Sequence, residues 1–218
     1  MKTTRKLMAG LVTGVLLVLI PMSIAAAAPL QYEMYNGGGM GVLYHDETYL
    51  GGSPPGNENL DYAPLWGGEG QITNIAIGTY DPSDVAWVGW GYWDPFVTID
   101  LGAIVQVKQV SIHTLVNSSA AIACYAQVKL WFSDDKVNWN ASETYLTTPA
   151  DKAEGAHWVN TQQFSHAARY VRADFTRVGT WTFVSEIKPD SVAIPEPGSL
   201  LALATGLIGA FGLVRRRR

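Results

Sequence analysis

Cysteine is nearly absent from the sequence: its 218 residues include only Cys124, so no disulfide can form within the chain. Cys124 lies in the stretch I-A-C-Y-A-Q-V-K-L-W-F, where alternation places it on the same strand face as Val128, Leu130 and Phe132. A catalytic thiol needs exposure and an activating base. We therefore predict that Cys124 is a buried, inert thiol.

Positive charge is scarce away from the two ends of the chain. Residues 29–194 hold 5 lysines and 3 arginines against 18 aspartates and glutamates, which leaves a net charge of about −10. A surface this acidic repels nucleic acid and anionic membranes. We expect no nucleic-acid partner, whereas solubility and cation binding suit such a surface.

The motifs of several common enzyme classes are missing. The sequence has no G-x-S-x-G, no H-E-x-x-H, no Walker A loop and no dinucleotide fingerprint. Its four histidines show none of the spacings typical of a zinc site. Acidic residues are plentiful, but no pair stands out as the two carboxylates of a glycosidase. We therefore predict a protein that is not an enzyme.

The first 28 residues have the three parts of a secretory signal peptide. A basic start, M-K-T-T-R-K, is followed by an apolar run and then by a run of alanines. We expect cleavage after Ala27 or Ala28, and favour Ala27 because the other site would leave Pro29 first in the mature chain. The alternative is an uncleaved anchor helix, against which Pro21 and the alanine run argue.

A second apolar run, Leu200–Val214, lies close to the C-terminus. As a helix its 15 residues would span about 22 Å, which is short for a stable membrane crossing of about 20 residues. Pro195 and Pro197 prevent a helix from starting earlier. The arginines that follow would hold the C-terminus on the cytoplasmic side of the inner membrane.

This tail resembles the PEP-CTERM protein-sorting signal over residues 194–218. The resemblance implies export in a Gram-negative bacterium, often one that makes exopolysaccharide, and recognition and cleavage by an exosortase-type processing enzyme. The protein would be anchored transiently in the inner membrane and then released to the cell surface or extracellular matrix; a permanent single-pass anchor is the alternative. The motif residues are Pro195, Glu196, Pro197, Arg215, Arg216, Arg217 and Arg218.

Between the two ends the sequence has the pattern of short strands. Residues 37–102 hold 14 of the 22 glycines, and stretches such as L-W-G-G-E-G indicate turns rather than element interiors. From Phe96 onward, short segments alternate apolar and polar residues with period 2, as half-buried strands do. No sustained 3.6-residue period occurs in the exported part. These features predict an antiparallel sandwich or jelly roll.

The middle of the chain resembles discoidin, or factor 5/8 C-type, domains. The residues that carry the resemblance are W-V-G-W, V-T-I-D-L-G, V-K-L-W-F-S-D-D-K-V-N-W, A-R-Y-V-R-A and V-S-E-I. The fold it implies is an all-β, antiparallel β-sandwich jelly roll of the galactose-binding-like type, over residues 29–193. An N-terminal signal helix (residues 1–28) and a short C-terminal apolar helix (within 194–218) would flank this domain.

The same resemblance raises the question of a structural Ca²⁺. Family members often carry L-T-D-G with an aspartate near the ion, whereas the nearest match here, Leu65–Gly70, has no aspartate in that position. Glu69 and Glu186 are the expected ligands, with Asp61 and loop carbonyls as further oxygens. The alternative is that Glu186 only accepts hydrogen bonds from loop amides. No other cofactor is expected.

Aromatic residues supply the candidates for ligand binding. Exposed aromatic rings stack on sugar faces, and Tyr92 and Trp93 follow W-V-G-W in a loop. His113 could also reach a binding face. The simpler interpretation of His113 is a surface histidine without a ligand. We interpret the other tryptophans of these motifs as structural. They are Trp87, Trp90, Trp131 and Trp139.

Together these features predict an exported, exosortase-sorted protein of the cell surface or extracellular matrix. Its β-sandwich domain would bind carbohydrate, such as exopolysaccharide, or another surface ligand. A structural matrix protein without a specific ligand is the first alternative. A hydrolase of extracellular polymer is the second.

Overall fold

The computed structural model describes residues 30–39, 44–53 and 61–193. These residues form ten antiparallel strands and three short 3-10 helices, so the prediction of an all-β, antiparallel fold is confirmed. The predicted signal helix and apolar C-terminal helix lie outside the described residues. No helix within those ranges is long and apolar enough to cross a membrane. The strands are β1 Gln31–Tyr35, β2 Leu50–Gly52, β3 Pro64–Glu69, β4 Val88–Trp90, β5 Phe96–Val116, β6 Gln127–Ser133, β7 Ala141–Leu146, β8 Gly155–Asn160, β9 His166–Thr176 and β10 Thr182–Ala193.

Strand β5 joins the two sections of the sheet. Its first part pairs with β1 and β9 and belongs to a section with the order β2-β3-β1-β5-β9-β6-β7. Its second part pairs with β10 and β8, and β4 adds to the far side of β10. The alternation from Phe96 onward predicts short strands, whereas the structure has one strand of 21 residues with a register shift between Asp100 and Val105.

The core lies between these strands and follows the period-2 pattern. From Val128 to Phe132 in β6 and from Val171 to Phe175 in β9 every second side chain is buried, and in β10 and the second part of β5 most apolar side chains are. Burying each large apolar side chain stabilises the fold by about 1.5–3 kcal/mol. The core residues of these strands include Val110, Ile112, Val128, Leu130, Phe132, Val171, Ala173, Phe175, Val184 and Ile187.

One glycine-rich stretch predicted as a turn is a strand instead. Residues Leu65–Glu69 of L-W-G-G-E-G lie within β3, which pairs with β1 on one side and β2 on the other. A Cβ atom on Gly68 would come within 2.4 Å of the Cα atom of Gly51 in β2. The glycines therefore serve the close approach of two strands, which local turn preferences do not reveal.

Cys124 is buried, as predicted, with 3% of its surface exposed. Burial raises the pKa of its thiol to about 12. The thiol is therefore protonated at neutral pH, and a protonated thiol is a poor nucleophile.

The strands also fix where the tail leaves the domain. At its start, Thr182 of β10 pairs with Trp90, next to the loop that carries Tyr92 and Trp93. At its end, Ala193 pairs with Val105, about 36 Å away along the strand. The end that holds the loops after β1, β4 and β9 is called the loop end below. The sequence beyond Ala193 begins at the opposite end of the domain.

Candidate functional site

Four aromatic residues meet at the loop end and form what we call the loop-end cluster: Tyr35, Tyr62, Tyr92 and Trp93. Tyr92 is 69% exposed and Trp93 is 56% exposed. The ring of Tyr62 stacks against the Trp93 indole, with centroids 5.3 Å apart and an angle of 25° between the planes. Tyr35 adds a tilted contact to Trp93 at 6.4 Å. The two residues predicted as ligand contacts thus lie on a surface built with two further tyrosines.

Arg177 fixes the loop that carries Trp93. Its backbone N–H donates to the Asp94 carboxylate at 3.0 Å, and its guanidinium lies 3.7 Å from the same carboxylate. The guanidinium also donates to the carbonyls of Gly91 and Thr180. Arg177 therefore ties the loop after β4 to the loop after β9, so that binding at Trp93 would require little further ordering of the chain.

Hydrogen bonds beneath the cluster join three other segments of the loop end. The Tyr62 hydroxyl donates to the carbonyl of Gly38 at 3.0 Å, and burial raises the pKa of this hydroxyl. The Asp61 carboxylate accepts the backbone N–H of Gly39 at 2.9 Å and lies 2.8 Å from Nε2 of His45. Asp61, considered above as a calcium ligand, thus helps to hold the loops that support Tyr62.

At Gly39 the backbone passes close to the cluster. Its φ of +114° lies in the region that favours glycine, and a Cβ atom there would sit 3.0 Å from the Tyr62 hydroxyl and 3.2 Å from the Tyr92 ring. The arrangement of Tyr62 and Tyr92 therefore depends on a residue without a side chain at this position.

His113 lies away from this surface. It is 3% exposed, so the expectation of a surface position is wrong. The side of β5 opposite Ile112 is covered by Trp158 and by Trp87, whose indole stacks on the imidazole with centroids 5.3 Å apart. Nδ1 lies 2.8 Å from the Ser185 hydroxyl, and burial lowers the pKa of the imidazole to about 4. His113 is therefore a neutral, buried side chain.

The two carboxylates predicted to bind calcium occupy different surroundings. Glu69 is half-buried at the end of β3, whereas Glu186 is 4% exposed and accepts the backbone N–H of Ile75 at 2.9 Å. Burial raises the pKa of Glu186 to about 7, and the hydrogen bond from Ile75 and the charge of Lys188 oppose that shift in part. Within the described ranges, no group of three or more His, Cys, Asp or Glu side chains is placed to hold a metal ion.

The raised pKa of Glu186 predicts a pH-dependent stability. A carboxyl group with a pKa near 4.5 in the unfolded chain and about 7 in the folded chain stabilises the fold below pH 4.5, and this contribution is lost as the pH rises through 7. Glu186→Gln keeps an acceptor for Ile75 without a charge. With Ca²⁺ chelated, we expect this variant to match the wild type at pH 4 and to exceed it by about 2–3 kcal/mol at pH 8. Urea unfolding at both pH values measures this, and a pH-independent difference would contradict it.

Sequence reasoning missed Tyr35 and Tyr62 as parts of the candidate site. Tyr62 precedes Trp93 by 31 positions, and their stacking depends on the path of the loops. Tyr35 ends β1 and is 41% exposed, and its outward position is consistent with the alternation of that strand, in which Tyr32 and Met34 are buried. The alternation of β1 was therefore the only local sequence signal that Tyr35 is exposed.

Trp87 and Trp90, interpreted as structural, are 1% and 0% exposed, which confirms that interpretation.

The C-terminal end of the chain matches the PEP-CTERM protein-sorting motif over residues 193–218. This match confirms the resemblance described above for the tail. The motif indicates export and exosortase-dependent sorting to the cell surface.

No curated protein matches the chain. Similar solved structures include the C-terminal domain of a chitobiase from Bacteroides fragilis, at 14% identity and a TM-score of 0.44, covering 71% of this chain and 99% of that one. Chitosan-binding module 1 of a chitosanase/glucanase from Paenibacillus sp. IK-5 is similar at 18% identity and a TM-score of 0.34, covering 47% and 75%. A pectin-binding carbohydrate-binding module is similar at 20% identity and a TM-score of 0.36, covering 56% and 81%. Because these TM-scores are below 0.5, function is argued from this chain's own residues.

Proposed function

We propose that this chain is an exported protein, sorted to the cell surface or extracellular matrix, whose loop-end cluster binds carbohydrate. The observation that carries the proposal is the Trp93 indole, which is 56% exposed yet held in place by the stacked ring of Tyr62. A large apolar ring kept in water by a built support is typical of a recognition surface. Its partner is therefore expected to offer a flat apolar face.

A pyranose ring has the chemistry that this surface fits. The C–H groups on one face of a sugar complement the negative face of an aromatic ring, and the hydroxyls at its rim can bond to polar side chains. The cluster provides an indole and three phenols within one patch. The support from Arg177 and Tyr62 lowers the entropic cost of binding, because the rings are already placed.

The position of the cluster suits a protein that is attached, even briefly, by its tail. The sorting motif begins at the end of β10, and the loop end lies about 36 Å away along that strand. The aromatic surface would therefore face away from the membrane during sorting. An exopolysaccharide ligand could then be reached before or after an exosortase-type enzyme removes the tail.

The proposal also covers the type of domain, the signal peptide, the host and a structural Ca²⁺. The domain of residues 29–193 is a galactose-binding-like jelly roll, the first 28 residues are a cleaved signal peptide, and the host is a Gram-negative bacterium. A structural Ca²⁺ at Glu186 stays a prediction; since bound Ca²⁺ would keep this carboxylate ionised, it would remove the instability expected above pH 7.

A glycan array probed with the full chain, followed by calorimetry on the sugars retained, tests the proposal. Trp93→Ala is expected to weaken binding at least tenfold, because it removes the central stacking surface. The matched control is Tyr80→Ala, which removes a ring that is 51% exposed and hydrogen-bonded to Glu154. The control should bind like the wild type. Retention of no sugar by the folded wild type, or equal losses in both variants, would overturn the proposal.

A further inference from the structure

A second aromatic surface lies on the outer face of the larger sheet section, and the Phe96 ring separates it from Tyr35 of the loop-end cluster. Lys129 and Trp131 are two positions apart on β6, and Arg172 and Asp174 occupy the facing positions on β9. Their neighbours on both strands point into the core, so these four side chains share the opposite face. We call them, together with Trp139, the sheet-face patch.

The two indoles of this patch are not part of the core. Trp131 and Trp139 are half-buried, and neither belongs to the core or packs against it. They line a cavity of about 270 Å³ together with Arg172 and Asp174. The sequence analysis interpreted both tryptophans as structural. A structural role does not explain why they lie on an open face of the sheet.

Only part of the Arg172 guanidinium is hydrogen-bonded within the patch. The Asp174 carboxylate accepts the indole N–H of Trp131 at 2.8 Å and Nε–H of Arg172 at 2.6 Å, so both of its oxygens are engaged. The two terminal nitrogens of Arg172 make no hydrogen bond to any described residue. Packing of the guanidinium over the Phe96 ring at 4.2 Å holds it in place.

The patch also has an excess of positive charge. The ammonium of Lys129 lies 3.7 Å from the centre of the Trp131 ring and forms no ion pair with any described residue. Two cations thus face the single carboxylate of Asp174. This contrasts with the exported region as a whole, in which 18 acidic residues outnumber 8 basic ones.

We propose that the sheet-face patch is a second glycan-binding site, selective for an acidic polysaccharide whose sugars carry carboxylates, such as a uronate polymer. The free fork of Arg172 matches a carboxylate through two parallel N–H···O bonds, and Lys129 adds charge beside it. The sugar ring stacks on Trp139 and on the part of Trp131 that Lys129 leaves open. Because the rest of the domain repels an acidic polymer, binding must come from this local site.

The test is calorimetric titration of the full chain with trigalacturonic acid and with its methyl ester. We expect the acid to bind and the ester to bind at least tenfold more weakly, since esterification removes the carboxylate charge. Arg172→Gln and Trp139→Ala should each weaken binding of the acid at least tenfold. Raised salt should weaken it further.

The matched control is Arg169→Gln, on the same strand. Arg169 already donates two hydrogen bonds to Asp100, both at 2.9 Å, so its loss should leave binding of the acid unchanged. Trp93→Ala should also bind the acid normally, which separates this site from the loop-end cluster. Circular dichroism and melting confirm that each variant is folded. Absence of binding by the wild type, equal binding of acid and ester, or an equal loss in Arg169→Gln would overturn the inference.

Discussion

Trp90→Ala is expected to lower the free energy of unfolding by about 3–5 kcal/mol, the largest effect of any single substitution considered for the domain. The Trp90 side chain is fully buried, and its indole N–H donates to the carbonyl of Tyr35 at 2.8 Å. Alanine would leave a cavity in the core and a carbonyl without its donor. A domain of this size is stable by about 5–15 kcal/mol, so a large part of its stability would be lost.

Urea unfolding of wild type and variant measures this change. Trp66→Ala is the matched control, because that indole is 46% exposed on β3, and its removal should cost about 1 kcal/mol or less. Equal costs for the two tryptophans would contradict the account of the core. Loss of the contact to Tyr35 should also disturb the loop-end cluster, since Tyr35 packs against Trp93.

Replacing Pro195, Glu196 and Pro197 together by alanine is expected to abolish processing of the tail. Because proline is disfavoured within a helix and alanine favours one, we expect the prolines to leave this peptide open to an enzyme and the alanines to make it helical. The wild type should yield a mature protein without the residues that end in Arg218. The triple variant should keep them and stay with the membrane fraction.

Intact-mass measurement on protein from the native host distinguishes these states. Leu207→Ile, which keeps the length and apolar character of the run, is the control and should be processed normally. A mature wild-type protein that still ends in Arg218 would favour a permanent anchor. Normal processing of the triple variant would show that the enzyme does not read these three residues.

Alternation of apolar and polar residues predicted much of the fold. It places Val128, Leu130 and Phe132 on the buried face of β6, and the structure confirms this. The reason is physical: a strand with one buried face must alternate, so the pattern carries both the element and its orientation. The same alternation puts Trp131 on the outer face. The interpretation of Trp131 as structural did not take this position into account.

Features that depend on contacts between distant segments could not be predicted in this way. The strand character of β3 comes from the close approach of Gly68 to Gly51, and the burial of His113 comes from Trp87 and Trp158 covering its side of the sheet. Each is a consequence of packing across the fold, which a local pattern does not contain.

Only part of the candidate site could be predicted, because the rest also depends on contacts between distant segments. Tyr92 and Trp93 stood out as a loop after W-V-G-W, and the structure places both on the surface. The stacked ring of Tyr62 comes from a different loop, as does the tie through Arg177. Sequence composition could suggest which rings meet a ligand, but it could not reveal the side chains that hold them.

The most direct test of the proposed carbohydrate site is the NMR spectrum of the indole N–H groups during titration with an uncharged sugar retained on the array. The eight tryptophans should each give one indole N–H signal, which single substitutions would assign. The account predicts that the Trp93 signal shifts in proportion to saturation. The signal of the buried Trp87, whose indole N–H donates to the carbonyl of Thr79, should stay in place. A titration in which sugar binds and Trp93 does not respond would contradict the account.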